Sequence, residues 1–169
     1  MKIIEAMKKI KELSVKTSDL RAKIKQHCAD LDFETPVYPD QKKQVSEWLQ
    51  AHSDVLKEIL RLKVAIQRTN LATDVTIELG GKQVTKCIAE WVHRRRELAA
   101  LELNAWQGLT DRNLQNGVVK TTSGADREFK LRRYYDPYER DCRIDLYRSE
   151  PGIIDGTLEV VNAVTDLME

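Results

Sequence analysis

The sequence predicts a mainly α fold. It reads as a long antiparallel helical hairpin of coiled-coil type, then a third and a fourth helix, with small β-hairpin elements between them and several copies joined as a homo-oligomer. Three observations carry this. Apolar residues recur at three- and four-residue steps over two stretches of about 30 residues. A Pro-containing break, DFETPVYPD, separates them. A Gly-Gly pair flanked by alternating residues, TIEL-GG-KQVT, follows the second stretch.

Taken in order, residues 2–31 read as one helix. Ile3, Met7, Ile10, Leu13, Thr17, Leu20, Ile24, Cys28 and Leu31 form its apolar seam. Pro36 and Pro39 cannot continue it, and Asp40 is placed to cap the next helix. That helix, about 40–70, carries Val45, Trp48, His52, Val55, Ile59, Leu62, Ile66 and Thr69 on one stripe and stops at Arg68-Thr69-Asn70. In the hairpin that follows, Val75, Ile77 and Leu79 share a face. Thr85 is placed to cap a third helix at 86–109, with Cys87, Ile88, Trp91, Leu98, Leu101 and Ala105 apolar.

Residues 113–126 are polar and punctuated by glycine, which predicts a loop. REFKLRRYY alternates like a strand, with Arg127, Phe129, Leu131, Arg133 and Tyr135 on one face. Asp136-Pro137 opens the last helix, which Pro151-Gly152 interrupts or kinks. The whole is expected to form one helical domain over 1–169: a hairpin (1–71), a β-hairpin and helix (72–112), and a loop, strand and C-terminal helix (113–169). Helices this long leave a thin core, so Trp48, Trp91 and Trp106 are expected to find partners in other copies.

Composition narrows function. Charged residues make up 33% of the 169, yet the formal net charge is only +1, which argues against an extended nucleic-acid track. Residues 1–71 are rich in Lys and Arg, whereas Ser149–Glu169 has acids and neither Lys nor Arg, so head and tail should attract, within or between chains. Cys28, Cys87 and Cys142 are an odd, widely spaced set, as expected of reduced thiols in a cytoplasmic protein. No apolar run approaches ~18 residues, so neither a leader peptide nor a membrane span is expected. His27, His52 and His93 make no metal-ligand spacing, no phosphate loop or nucleophile motif occurs, and no enzymatic activity or cofactor is expected.

Three clusters are candidates for binding. Arg68, Thr69, Asn70 and Thr73 sit where the second helix ends; they could line a polar pocket or simply stop the helix. Arg95 falls four residues after Trp91, near an apolar seam. It needs either a carboxylate partner within the bundle or an anion from another subunit. Arg127, Arg133 and Tyr135 combine guanidinium forks with an aromatic face, which suits a compact anion such as a nucleotide; the plainer reading is an edge strand with Arg–Asp pairs.

The start MKIIEA, the helix end IQRTNLAT, the stretch GKQVTKCIAE and the close IIDGTLEVVNAVTDL together resemble the septicolysin-like family of small helical bacterial and phage proteins. The resemblance spans residues 1 to about 167, with Arg68-Thr69-Asn70 and Thr73 its sharpest element. It implies a helical hairpin with small β elements assembled as a homo-oligomer, a hexamer, and supplies no catalytic residue. The expected function is a non-catalytic oligomer that sequesters a small anion, a nucleotide signal, at inter-subunit pockets, in the manner of a phage sponge. The alternatives are a purely structural scaffold or adaptor and the pore former that the family name implies.

Overall fold

The computed structural model describes residues 1–168. Its elements are α1 (Ile3–His27), α2 (Gln41–Ala72), β1 (Asp74–Leu79), β2 (Lys82–Cys87), α3 (Ile88–His93), a π-helical turn (Arg94–Leu98), α4 (Ala99–Gln107), β3 (Gly117–Lys120), β4 (Asp126–Phe129) and α5 (Pro137–Val164). The chain is thus mainly helical, with two small two-stranded sheets. It forms two compact units. One holds Met1–Asp74 and the residues from Leu158 on; the other holds Val75–Thr157.

In the first unit α1 and α2 pair antiparallel, since His27 meets Trp48 near one end and Lys9 reaches Glu58 further along. Ile3, Ala6 and Leu20 bury against Val55, Leu62, Ala65 and Thr69 of α2, with Leu158. Asp40 caps α2 as expected, accepting from the Lys43 N–H at 2.9 Å. The predicted seam needs correcting at both ends. α1 stops at His27 because the chain forms a local turn: Glu34 N–H donates to the Leu31 carbonyl, and the Glu34 carboxylate accepts from Leu31 N–H. Cys28 and Leu31 therefore fall outside the helix and are exposed. Near the start Ala6, not Met7, is buried.

α2 runs two residues past the expected stop. Asn70 stays helical, and Thr73, in extended geometry, ends the helix. The attraction between head and tail is realised within the chain. Lys2 bridges to Asp166 at 2.8 Å, Leu167 N–H donates to the Met1 carbonyl, and Met168 N–H donates to Thr69 Oγ1 at 2.8 Å.

In the second unit Gly80 and Gly81 both hold positive φ, 57° and 75°, the turn geometry that a Gly-Gly hairpin serves. Val75 and Ile77 are buried. Thr85 does not cap a helix. It lies in β2 and shares a 2.7 Å hydrogen bond with Thr76 across the strands; Cys87 takes the cap position and its N–H donates to Glu90. The predicted third helix is present but carries the π turn at its middle. One extra residue per turn rotates the apolar register. Leu98 and Leu101, expected inward, are therefore exposed, and Ala99 is buried instead.

Two further expectations change. The predicted loop contains β3, which pairs with β4 from Gly117↔Phe129 to Lys120↔Asp126. The predicted strand ends at Phe129 rather than Tyr135, because its partner runs out at Gly117 and Leu131 N–H turns to Asn116 Oδ1. The Phe129 ring lies over Gly117, where any side chain would collide with it. α5 starts at Pro137 with Asp136 before it, and it continues through Pro151 without interruption.

The tryptophans also find partners within the chain. Trp91 is fully buried and donates to the Val75 carbonyl at 2.9 Å. Trp48 packs with Tyr38 and His27, and Arg143 sits over Trp106. The inference that they need other copies therefore loses its premise.

Candidate functional site

The candidate residues fall into separate places, and their partners define what each can do. Arg133 and Tyr135 come together on one carboxylate. Arg133 Nε and Nη2 donate to the two oxygens of Asp111 at 2.7 and 2.5 Å, a two-point fork, and Tyr135 Oη donates at 2.9 Å. These hydrogen bonds, Arg133 first, hold the Asp111 carboxyl down at about 2, and raise the Arg133 guanidinium above its ordinary value. Arg140 lies over the Tyr135 ring and donates to the Leu109 carbonyl, so the loop before β3 is fastened to the start of α5. The expected strand face does not form, since residues 130–135 are outside the sheet.

Arg95 pairs with Asp155 of α5. Its neighbour Arg94, also in the π turn, makes the more enclosed contact. It donates to both oxygens of Glu150, at 2.5 and 3.0 Å, beneath the Tyr147 ring. Glu150 is 2% exposed and the Arg94 side chain 21%, so the pair is largely enclosed, and the guanidinium is raised chiefly by that carboxylate. Two successive arginines of the π turn thus each meet a different carboxylate of α5.

Arg127 stands exposed on β4, opposite Val119. Arg68 is exposed on α2, Asn70 is half-buried and Thr73 terminates the helix. Asn70 Oδ1 is a buried acceptor without a hydrogen-bond partner among the described residues. Thr69, between Arg68 and Asn70, organises this end of the unit. It is fully buried, donates to the Ala65 carbonyl and accepts from Met168 N–H.

Sequence reading placed Thr69 on the α2 seam and at the helix end but not its bond to the C-terminal segment, and it missed Asp111 and Glu150. Each owes its role to a partner tens of residues away, for which no local spacing gives a signal. The three cysteines are free. Among the described residues no group of three or more His, Cys, Asp or Glu side chains is placed to hold a metal ion, and no helix is long and apolar enough to cross a membrane.

A different feature is prominent on α2. Leu49, Leu56, Leu60 and Leu71 are 47–67% exposed. At about 100° per residue they fall within a sector of roughly 60°, well away from the seam with α1. Exposed apolar side chains aligned on one helix face are candidates for an interaction surface.

No family model matches the chain, and no curated protein matches it. A solved structure from Corynebacterium diphtheriae, described as a functionally unknown conserved protein, is similar over 99% of both chains, with a TM-score of 0.59 at 19% identity. At that identity the likeness speaks for the fold alone, a mainly helical chain with two small hairpins.

Proposed function

We propose that this protein is a non-catalytic helical scaffold that acts by association, first of all with further copies of itself. The observation that carries the reading is the exposed leucine stripe on α2. A helix whose seam is already filled has no internal use for a second apolar face, and solvating it is unfavourable by roughly 25 cal/mol per Å². The hexamer implied by the septicolysin-like resemblance is one assembly this stripe would serve.

Sequestration of a small anion has less support. An anion at Arg133 would have to displace Asp111, and one at Arg95 would have to displace Asp155. Both arginines already have the partner that the plainer reading of the sequence gives them. Pore formation has no apolar helix to draw on among the described residues.

The test is light scattering on the wild type and on a Leu56→Glu, Leu60→Glu variant. The reading predicts an oligomer that the two substitutions dissociate while the helical circular dichroism is retained. A wild-type monomer would overturn it.

A further inference from the structure

Between α1 and α2 the chain makes a tip with an unusual make-up. Leu31, Phe33 and Val37 are 56%, 79% and 68% exposed. Around them stand Asp30, Asp32, Glu34 and Asp40, with no Lys or Arg from Cys28 to Asp40. The tip is held in shape rather than loose: Leu31 and Glu34 bond each other twice, and Gln41 ties Tyr38 N–H to the His27 carbonyl. It is an acidic, apolar knob.

The leucine stripe has the opposite charge. Lys42, Lys63 and Arg68 lie within roughly a quarter-turn of its centre, whereas Glu47, Asp54 and Glu58 of α2 lie about 130° or more away. Lys42, Lys63 and Arg68 are exposed. Lys57, also beside the stripe, shares Asp54. The stripe is therefore a basic, apolar track.

We infer that the acidic tip of one copy docks on the basic leucine track of the next, so that the contact between copies is head-to-tail. This rests on the association reading above and names its geometry. Charge disfavours contacts of like with like. Tip against tip would gather Asp30, Asp32 and Glu34 onto their own copies, and track against track would do the same with Lys63 and Arg68; like charges placed together at an interface disfavour it. Tip against track pairs opposite charges around a shared apolar centre. A tip of this size covers less than the ~800 Å² per partner of a standard interface. In a closed ring, however, every copy makes the contact twice, once with its tip and once with its track. Head-to-tail contacts close into rings or extend into filaments, depending on the rotation between copies.

The test uses two charge-reversal variants, Asp30→Lys with Asp32→Lys on the tip, and Lys63→Glu with Arg68→Glu on the track. None of these side chains has an ion-pair partner among the described residues. Each variant alone should weaken assembly at least ~10-fold. The chain carrying all four reversals should recover the wild-type oligomer. An equimolar mixture of the tip variant and the track variant should also assemble, because reversed tip meets reversed track and unreversed tip meets unreversed track wherever the two variants alternate. If the wild type assembles but neither variant alters it, or the mixture of the two variants fails to assemble, the head-to-tail contact is wrong and the association reading stands. If the wild type is monomeric, both fall. Helical circular dichroism of every variant separates loss of docking from loss of fold.

Discussion

The two units of this chain solve the same packing problem with different chemistry. The first joins two long helices through an apolar seam and closes it with the two chain termini around Thr69. The second has one large apolar anchor, Trp91, and relies on arginines that each meet a carboxylate: Arg94 on Glu150, Arg95 on Asp155, Arg133 on Asp111. The contrast teaches where to look for function. In the second unit these three arginines are consumed by structure. In the first, four exposed leucines line up along the outside of α2, away from its seam with α1.

The comparison can be broken most directly at Trp91. Its replacement by Ala empties a site with no solvent contact and should cost about 3–5 kcal/mol, read by urea unfolding. A cost near that of a surface residue would mean that the second unit does not depend on a single apolar anchor. Next comes Glu150→Ala, which strands Arg94 inside the unit. Because the Arg94 side chain is 21% exposed, the loss should be about 2–3 kcal/mol, below that of a fully buried pair. Replacing Arg94 and Glu150 together by Met and Leu should recover most of it, whereas failure to recover would show that the pair does more than neutralise itself.

Smaller effects sharpen the picture. Thr69→Val removes the acceptor of Met168 N–H and should cost about 1–2 kcal/mol. Hydrogen exchange at residues 166–168 should quicken more than exchange in β1 and β2. Asp111 supplies the mildest and most specific test. Its carboxyl is depressed from 3.8 to about 2, so it stabilises the fold above pH 3.8, and that contribution is lost as pH falls through 2. The melting-temperature gap between wild type and Asp111→Asn should therefore be present at pH 6 and close towards pH 2. Glu58, depressed to about 2 by Arg61 and Lys9, titrates alike in both proteins and drops out of the difference.

Most elements were legible because their signals are local. Asp40 before an apolar run, Gly80-Gly81 between alternating residues, and Asp136-Pro137 before α5 each act through neighbours in sequence. What was not legible depends on distant partners. The π turn leaves no mark in the spacing of Trp91, Leu98 and Leu101, yet it decides which of them is buried. The strand predicted to Tyr135 stops at Phe129 because β3 is short, a fact about another segment. Arg95 and Arg133 looked like ligand groups for the same reason: nothing nearby in sequence reveals that Asp155 and Asp111 await them. The leucines at 49, 56, 60 and 71 were visible as residues, but only the position of α1 shows that they face away from the seam.

Native mass spectrometry of gently purified wild-type protein tests the central claim most directly, since it weighs the assembly and anything it retains. Association through the first unit predicts an integer multiple of the chain mass with no added small molecule. A monomer, or an assembly carrying a stoichiometric small anion, would contradict it.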